Sequence, residues 1–230
     1  MTPREATRGD GKRVAVMQPY FFPYAGYFRL LDQVDEFVIY DCVQFPRRGR
    51  VHRTEVPGPG GAEEWLTLPL ARQPRDIRIM DLEFAAGARA ELDARLARLP
   101  WLRAAPGPAS ARVLEFLDGP LEDVVDYLER GLRLVGDLLG LHCAVSRSSQ
   151  LDVDPSLRGQ ERVLAIAAGR GAGTYVNAPG GVDLYDAAIF RAHDIELRFL
   201  PPYRGPYVRL LPALVAVDPA LLAADVRDAR

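Results

Sequence analysis

Cysteine is scarce: Cys42 and Cys143 are the only two in 230 residues, too few for a disulfide framework and without metal-binding spacing. Histidine is nearly as thin, and His52, His142 and His193 lie too far apart for a zinc site. No stretch approaches the ~18 uninterrupted apolar residues that a membrane-spanning helix needs. Neither sign of charge dominates; the formal net charge of −2 implies no field for a nucleic-acid duplex or a membrane surface. Residues 1–12 are polar and charged with no apolar segment behind them, which reads as a frayed start, not a signal peptide, and makes the cytoplasm the expected compartment. No internal repeat or low-complexity linker interrupts the rest. Residues 13–230 read as one domain, with 48% hydrophobic and 26% charged residues, able to bury a full core without staples.

What stands out is Met17-Gln18-Pro19-Tyr20-Phe21-Phe22-Pro23-Tyr24-Ala25-Gly26-Tyr27-Phe28. It follows Val14-Ala15-Val16 and precedes an apolar helical pattern over Tyr27–Asp35, so strand, aromatic turn and helix open a parallel α/β sheet. A plain loop would use Ser, Asn and Asp here. The aromatics can fill a core; Gln18 and the phenols of Tyr20, Tyr24 and Tyr27 fit a site better, since ligands of open α/β sheets bind outside the carboxyl ends of strands. Phe37-Val38-Ile39-Tyr40 is a second strand, and a right-handed crossover places it parallel to the first. Gln18 and Asp41 then share one sheet edge.

The loop after that strand carries Gln44, Arg47, Arg48, Arg50, His52 and Arg53. It is either a solvated basic loop or an anion grip, for which guanidinium forks suit phosphate and carboxylate. Pro57–Gly61 reads as a hairpin tip, Glu64–Leu70 as a strand with Trp65 packing, and Ile77–Phe84 as another short strand. Residues 85–140 form a helical insert, with Pro100, Pro106, Pro108 and Pro120 separating its helices; Leu128, Leu132, Val135 and Leu139 make one apolar face. Strand character returns at His142–Val145. Ser148 and Ser149 follow, then Gly159-Gln160-Glu161-Arg162 opens a helix; these hydroxyls and this helix start hold an anion or act as caps. Gly171–Asn177 is a turn and strand, Tyr185 opens a helix with Ile189 and Phe190, Ile195–Leu200 is a last strand, and Leu210–Asp225 turns helical in its final half. The expected fold is α/β: a Rossmann-like, mostly parallel sheet flanked by helices, with a helical insert in the middle of the chain.

The opening motif, Phe37–Asp41, Val43-Gln44-Phe45, Ser148-Ser149, Gly159–Arg162, Tyr175-Val176-Asn177, Gly180-Gly181, Leu184-Tyr185 and Phe190 together resemble the WbqC-like family over roughly residues 13–225. The resemblance implies a bacterial cytoplasmic protein, associated with enzymes that build surface polysaccharides and unusual amino sugars. It points to acyl or aminoacyl transfer onto a sugar amine or a similar small molecule. The chain departs from the family at Cys42, where an aspartate commonly follows Asp41, at Gly49-Arg50-Val51-His52-Arg53, where Gly-Trp-Ile-Asn-Arg is usual, and at Arg209, near a usual glutamine.

Such a transfer needs a base, donors for the developing oxyanion and a grip on an anionic donor. Asp41 or His52 is the candidate base; Gln18, Tyr24 and Tyr27 orient or donate; Arg47, Arg48 and Arg53 hold phosphates. Cys42 is either a nucleophile or a small buried residue ending a strand. Tyr20, Gln44, Ser148, Ser149, Gln160, Arg162, Asn177 and Tyr185 complete the expected substrate-binding set. The expected partners are a small-molecule or nucleotide-sugar substrate and an acyl-carrier or aminoacyl donor; no cofactor is assigned and no metal is expected. Two alternatives stand beside this. One is an ATP-dependent ligase of the nucleotidyltransferase-like kind, although Tyr24-Ala25-Gly26-Tyr27 holds the place where those enzymes carry His-x-Gly-His. The other is a non-catalytic nucleotide-sugar-binding protein.

Overall fold

The computed structural model describes residues 11–104 and 107–228. In chain order its elements are β1 (Lys12–Met17), α1 (Ala25–Gln33), β2 (Glu36–Ile39), β3 (Arg53–Pro57), β4 (Glu63–Thr67), α2 (Ala88–Ala97), α3 (Pro108–Asp118), α4 (Val124–Leu138), β5 (Ala144–Arg147), α5 (Gly159–Gly169), β6 (Ala172–Asn177), α6 (Ala187–Arg191), β7 (Glu196–Phe199), α7 (Leu210–Ala216) and α8 (Pro219–Arg227). The sheet is five-stranded and parallel in the order β5-β2-β1-β6-β7; β3 and β4 pair apart from it as an antiparallel hairpin. This is the expected Rossmann-like α/β architecture. The chain builds outward from β1 on one side, returns, and builds outward on the other, so the strand order reverses between β1 and β6.

Period-two alternation along the central strands sorts the apolar side chains. Ala15, Phe37, Ile39 and Val176 join one core; Val14, Val16, Val38 and Tyr175 join the other. The first core draws in α1 through Phe28, Leu30 and Leu31, the helices α2–α4, α7 and α8, and the hairpin; the second is closed by α5 and by Phe190 of α6. β1 and β6 come together closely at their amino ends: a Cβ on Gly173 would lie 2.6 Å from the Cα of Gly11. Two glycines facing each other permit that approach, and the register slips there, between Lys12 and Arg13.

Several expectations shift. Residues 1–10, most of the expected frayed start, lie outside the described residues, as does Pro106; Lys12 already belongs to β1. Ile77–Phe84 is not a strand. Buried Ile79 and Leu82 stand three apart on a tight turn at Ile79–Asp81, stapled by the Arg78–Asp81 ion pair (2.6 Å), and only single bridges, Gln44 to Arg78 and Leu70 to Phe84, flank it. β5 starts two residues after the expected His142, because Leu141 is still finishing α4, its N–H donating to the Gly136 carbonyl (2.9 Å). The polar end of β5 is an edge-strand signature: Arg147 pairs with Glu129 of α4 (2.6 Å). The tail turns helical at once at Leu210, and α8 begins where Asp218 caps the Ala220 N–H (2.8 Å) ahead of Pro219.

Candidate functional site

The opening motif divides in two. Phe21 and Phe22 turn inward, where Phe21 meets Tyr127 and Phe22 meets Phe116. Tyr20, Tyr24 and Tyr27 turn toward the carboxyl end of β1. Phe22 makes this split possible with a φ of +43°, a left-handed conformation that costs a bulky residue about 1–2 kcal/mol. The hairpin holds it there: Thr54 Oγ1 donates to the Phe22 carbonyl (2.8 Å) and the Phe21 N–H donates to the Arg50 carbonyl (3.1 Å). The aromatics thus divide: Phe21 and Phe22 fill the core, and the tyrosines border a crevice, Tyr27 while also packing in the core.

The three tyrosines border a crevice of about 460 Å³ at the point where β1 and β6 part, the usual ligand position in such sheets. Its walls are Gln18, Tyr20, Tyr24, Tyr27 and Leu30 from the opening motif, Tyr40 after β2, Arg50, and Asn177, Ala178, Gly180, Gly181, Leu184 and Tyr185 after β6. Among the described residues, Arg50 is the only charged side chain that lines the space, and no carboxylate does. Tyr27 donates to the Gln18 carbonyl (2.8 Å), which fixes the strand end, and its ring lies 5.3 Å from that of Tyr20. Asn177, 4% exposed, caps the next turn by accepting from the Ala178 N–H (2.8 Å). At Gly181 a Cβ would stand 2.3 Å from Asn177 Nδ2, so the glycine leaves that amide its place.

Burial raises the pKa of Tyr20, Tyr24 and Tyr27, with Arg50 pulling the first two back, and pushes Tyr40 up to about 12. The phenols stay protonated at neutral pH; those of Tyr20, Tyr24 and Tyr40 offer O–H donors beside one guanidinium and two primary amides, while that of Tyr27 is committed to the Gln18 carbonyl. The wall can donate to an anion or to sugar hydroxyls, and its rings can pack against a flat ligand face. It offers no general base.

The candidate residues fall into separate groups. Gln18, Tyr20, Tyr24, Tyr27, Asn177 and Tyr185 meet in the crevice. Asp41, 1% exposed, is spoken for: it accepts from Ser148 Oγ (2.8 Å), Ser149 N–H (2.9 Å) and Ser149 Oγ (2.6 Å), while Ser148 Oγ accepts from the Asp41 N–H (3.1 Å). These three residues latch the end of β2 to the turn after β5. Cys42 and Arg162 pair beside the latch, with Arg162 Nη1 3.7 Å from Cys42 Sγ and Nη2 donating to the Pro155 carbonyl (2.7 Å). Tyr40, which lines the crevice, lies near enough to Arg162 to feel its charge.

His52 is turned away. Its ring meets Phe45 edge-on (5.0 Å) and it lines a different groove with Arg47, Arg72 and Arg95. Burial, with Arg53 and Arg95 nearby, drops its pKa to about 4. Arg47 donates to the Gln73 carbonyl (2.6 Å), Gln44 to that of Arg75 (2.9 Å), and Arg48 is exposed. Arg53 lies 4.2 Å over the Trp65 ring, so Trp65 does pack, as a half-open platform for arginines. Gln160 Oε1 accepts from the Asp186 N–H at the start of α6. Gln18, Asp41, Cys42 and His52 thus share no single space: the latch consumes Asp41, and the hairpin carries His52 to the far side of its own fold.

Arg50 is the crevice residue that the candidate set omits. Its local sequence matches that of Arg47, Arg48 and Arg53; the long-range bond between Phe21 and its backbone selects it. Glu55 (3.0 Å) and the Trp65 ring (5.2 Å) hold its guanidinium. Among the described residues, no group of three or more His, Cys, Asp or Glu side chains is arranged to hold a metal ion, and no helix is long and apolar enough to cross a membrane.

The model of the WbqC-like protein family matches residues 18–218. The chain is also similar to the Mycobacterium tuberculosis protein named "Uncharacterized protein Rv1507c", 39% identical over 59 residues, which are 26% of this chain and 25% of that protein. The match spans about a quarter of that relative's length. No solved structure matches.

Proposed function

The chain belongs to the WbqC-like protein family, and from that premise we propose that its crevice binds a nucleotide-linked amino sugar of the kind used in bacterial surface-polysaccharide or secondary-metabolite synthesis. One observation carries this reading: the space at the switch point is walled by phenols, primary amides and one guanidinium, with no carboxylate. Sugar hydroxyls take donors from the phenols and amides, the sugar or base ring packs on the tyrosines, and the phosphate faces Arg50. A volume of about 460 Å³ lies within the range of small-molecule sites, roughly 300–1,000 Å³.

The test is calorimetric titration of the protein with UDP-N-acetylglucosamine and with free N-acetylglucosamine. Arg50→Met is expected to weaken the nucleotide sugar about tenfold or more, as loss of a charge-assisted contact does, and to leave the free sugar unchanged. Absence of binding by either probe overturns the reading.

A second reading adds chemistry: transfer of an acyl or aminoacyl group to the sugar's amine, with Cys42 as the relay. The contact that favours it is Arg162 Nη1 at 3.7 Å from Cys42 Sγ, which sets a guanidinium donor beside the sulfur that would attack. The thiolate displaces the donor's leaving group to form a thioester; the sugar's amine then attacks the thioester carbonyl, releases the thiolate and gives up its proton to solvent. Burial pushes the other thiol, Cys143, up to about 11, which suits an inert group. Mass spectrometry with an acyl-thioester donor and a UDP-linked amino sugar tests the relay. An adduct on Cys42 supports it; equal amide formation by Cys42→Ser removes it.

A further inference from the structure

Asn177 holds its side-chain amide in one orientation. It is the last residue of β6, 4% exposed, and β7 fixes its backbone, its carbonyl accepting from the Leu200 N–H (2.8 Å). The side-chain oxygen, Oδ1, is used locally, accepting from the Ala178 N–H (2.8 Å). That bond decides which end of the amide is left over. Nδ2 lies against Gly181, another wall of the crevice, so close that a Cβ there would stand 2.3 Å away. Among the described residues Nδ2 has no hydrogen-bond partner. The nitrogen of a primary amide carries two donors, so Asn177 meets a ligand as a donor and not as an acceptor.

The charge of the wall has the same bias. Among the described residues it holds one guanidinium, Arg50, and no carboxylate; Glu55, which pairs with Arg50 (3.0 Å), does not line the space. Gln18, half-buried just past the end of the neighbouring strand β1, makes no side-chain hydrogen bond among the described residues, and it brings both a donor and an acceptor. A protonated sugar amine is all donor and positively charged. Entering here it gives up water, meets another donor at Asn177 and a like charge at Arg50, and finds no carboxylate. Tyrosine faces attract cations, but these rings share the space with Arg50. An acylated nitrogen is neutral: its carbonyl suits Asn177 Nδ2, and its N–H suits the Gln18 oxygen. We infer that Asn177 is a specificity-determining residue that reads the acyl carbonyl on the ligand's nitrogen, so that the crevice selects N-acylated over free amino sugars. This rests on the nucleotide-sugar reading above and deepens it. A relay through Cys42 is compatible with it, because the amine that attacks a thioester is itself neutral.

The experiment titrates the full chain calorimetrically with UDP-N-acetylglucosamine and with UDP-glucosamine at about pH 6, below the ordinary range of an amine. The wild-type protein is expected to bind the N-acetyl form about tenfold or more tightly than the amine. Asn177→Asp keeps an oxygen to accept from the Ala178 N–H and puts a carboxylate where the donor stood. It is expected to reverse the order, weakening the N-acetyl form about tenfold and tightening the amine by a similar factor. Equal affinities in the wild type, or a preference for the amine, overturn the proposal and leave the nucleotide-sugar reading intact. An unchanged preference in Asn177→Asp, shown to be folded by its melting curve, overturns it as well. If Asn177→Asp does not fold, Asn177→Ser takes its place: a preference cut to about twofold supports the proposal, and a full preference overturns it. A wild-type protein that binds neither probe overturns both readings.

Discussion

Asp41→Asn separates a structural carboxylate from a catalytic one. The Asp41 side chain receives three hydrogen bonds, from Ser148 Oγ (2.8 Å), Ser149 N–H (2.9 Å) and Ser149 Oγ (2.6 Å), with almost no exposure. A hydrogen bond to a charged group contributes about 1.5–3 kcal/mol and a neutral one about 0.5–1.5. Asparagine keeps the shape and loses the charge, so each bond weakens by about 1 kcal/mol, for a total of about 3. One oxygen also becomes a donor, which obliges the Ser149 hydroxyl to accept. In a chain of this length about 3 kcal/mol lowers the melting temperature by roughly 6–12 °C. The assay is calorimetric melting and urea unfolding, paired with titration of the folded variant by UDP-N-acetylglucosamine. Reduced stability with unchanged affinity is expected, because Asp41 does not line the crevice. A melting temperature within about 1 °C of wild type, together with lost turnover, refutes the latch and returns Asp41 to the chemistry.

Two more perturbations follow from the geometry. The folded pKa of His52, about 4, is below its unfolded value near 6.5; the unfolded chain therefore binds the extra proton first, and stability falls as pH drops from about 6.5 to about 4. His52→Gln is expected to flatten the urea midpoint over that interval, and an unaltered slope would show that the ring is not held neutral. Gly181→Ala puts a methyl 2.3 Å from Asn177 Nδ2; it is expected to displace the amide and weaken nucleotide-sugar binding several-fold, roughly 1 kcal/mol, with little change in melting temperature, and equal affinity in the two proteins would free Asn177 from any role.

The sheet is legible in the sequence because its strands obey local rules: Val14-Ala15-Val16 and Phe37-Val38-Ile39 are β-branched or aromatic runs buried on both faces, as central parallel strands require. The crevice is half legible for the same reason, since Gln18 and Tyr20 follow the end of β1, Tyr24 and Tyr27 lie at the start of the helix after it, and Asn177 ends β6. What local pattern cannot carry is a choice among equals. Arg50 reaches the crevice, and Arg47, Arg48 and Arg53 do not, because of hydrogen bonds between segments about thirty residues apart in the chain, Phe21 N–H to the Arg50 carbonyl and Thr54 Oγ1 to the Phe22 carbonyl. Ser148 and Ser149 read equally as anion ligands or caps until Asp41 is placed against them. Ile77–Phe84 reads as a strand because apolar content alone does not distinguish an extended run from a tight turn with Ile79 and Leu82 inward.

The pairing of β1 with β6 has a bearing on biosynthesis. Of the described strands, β1 is made before the others and takes one neighbour, β2, almost immediately, but Val14 waits for Tyr175 on its other side. Until that residue emerges, one hydrogen-bonding edge of this central strand stands open, and the wall contributed by Asn177 and Tyr185 does not exist. Ribosome-bound nascent chains that end before Ala172 are therefore expected to be protease-sensitive and chaperone-bound, and chains that expose β7 to be resistant.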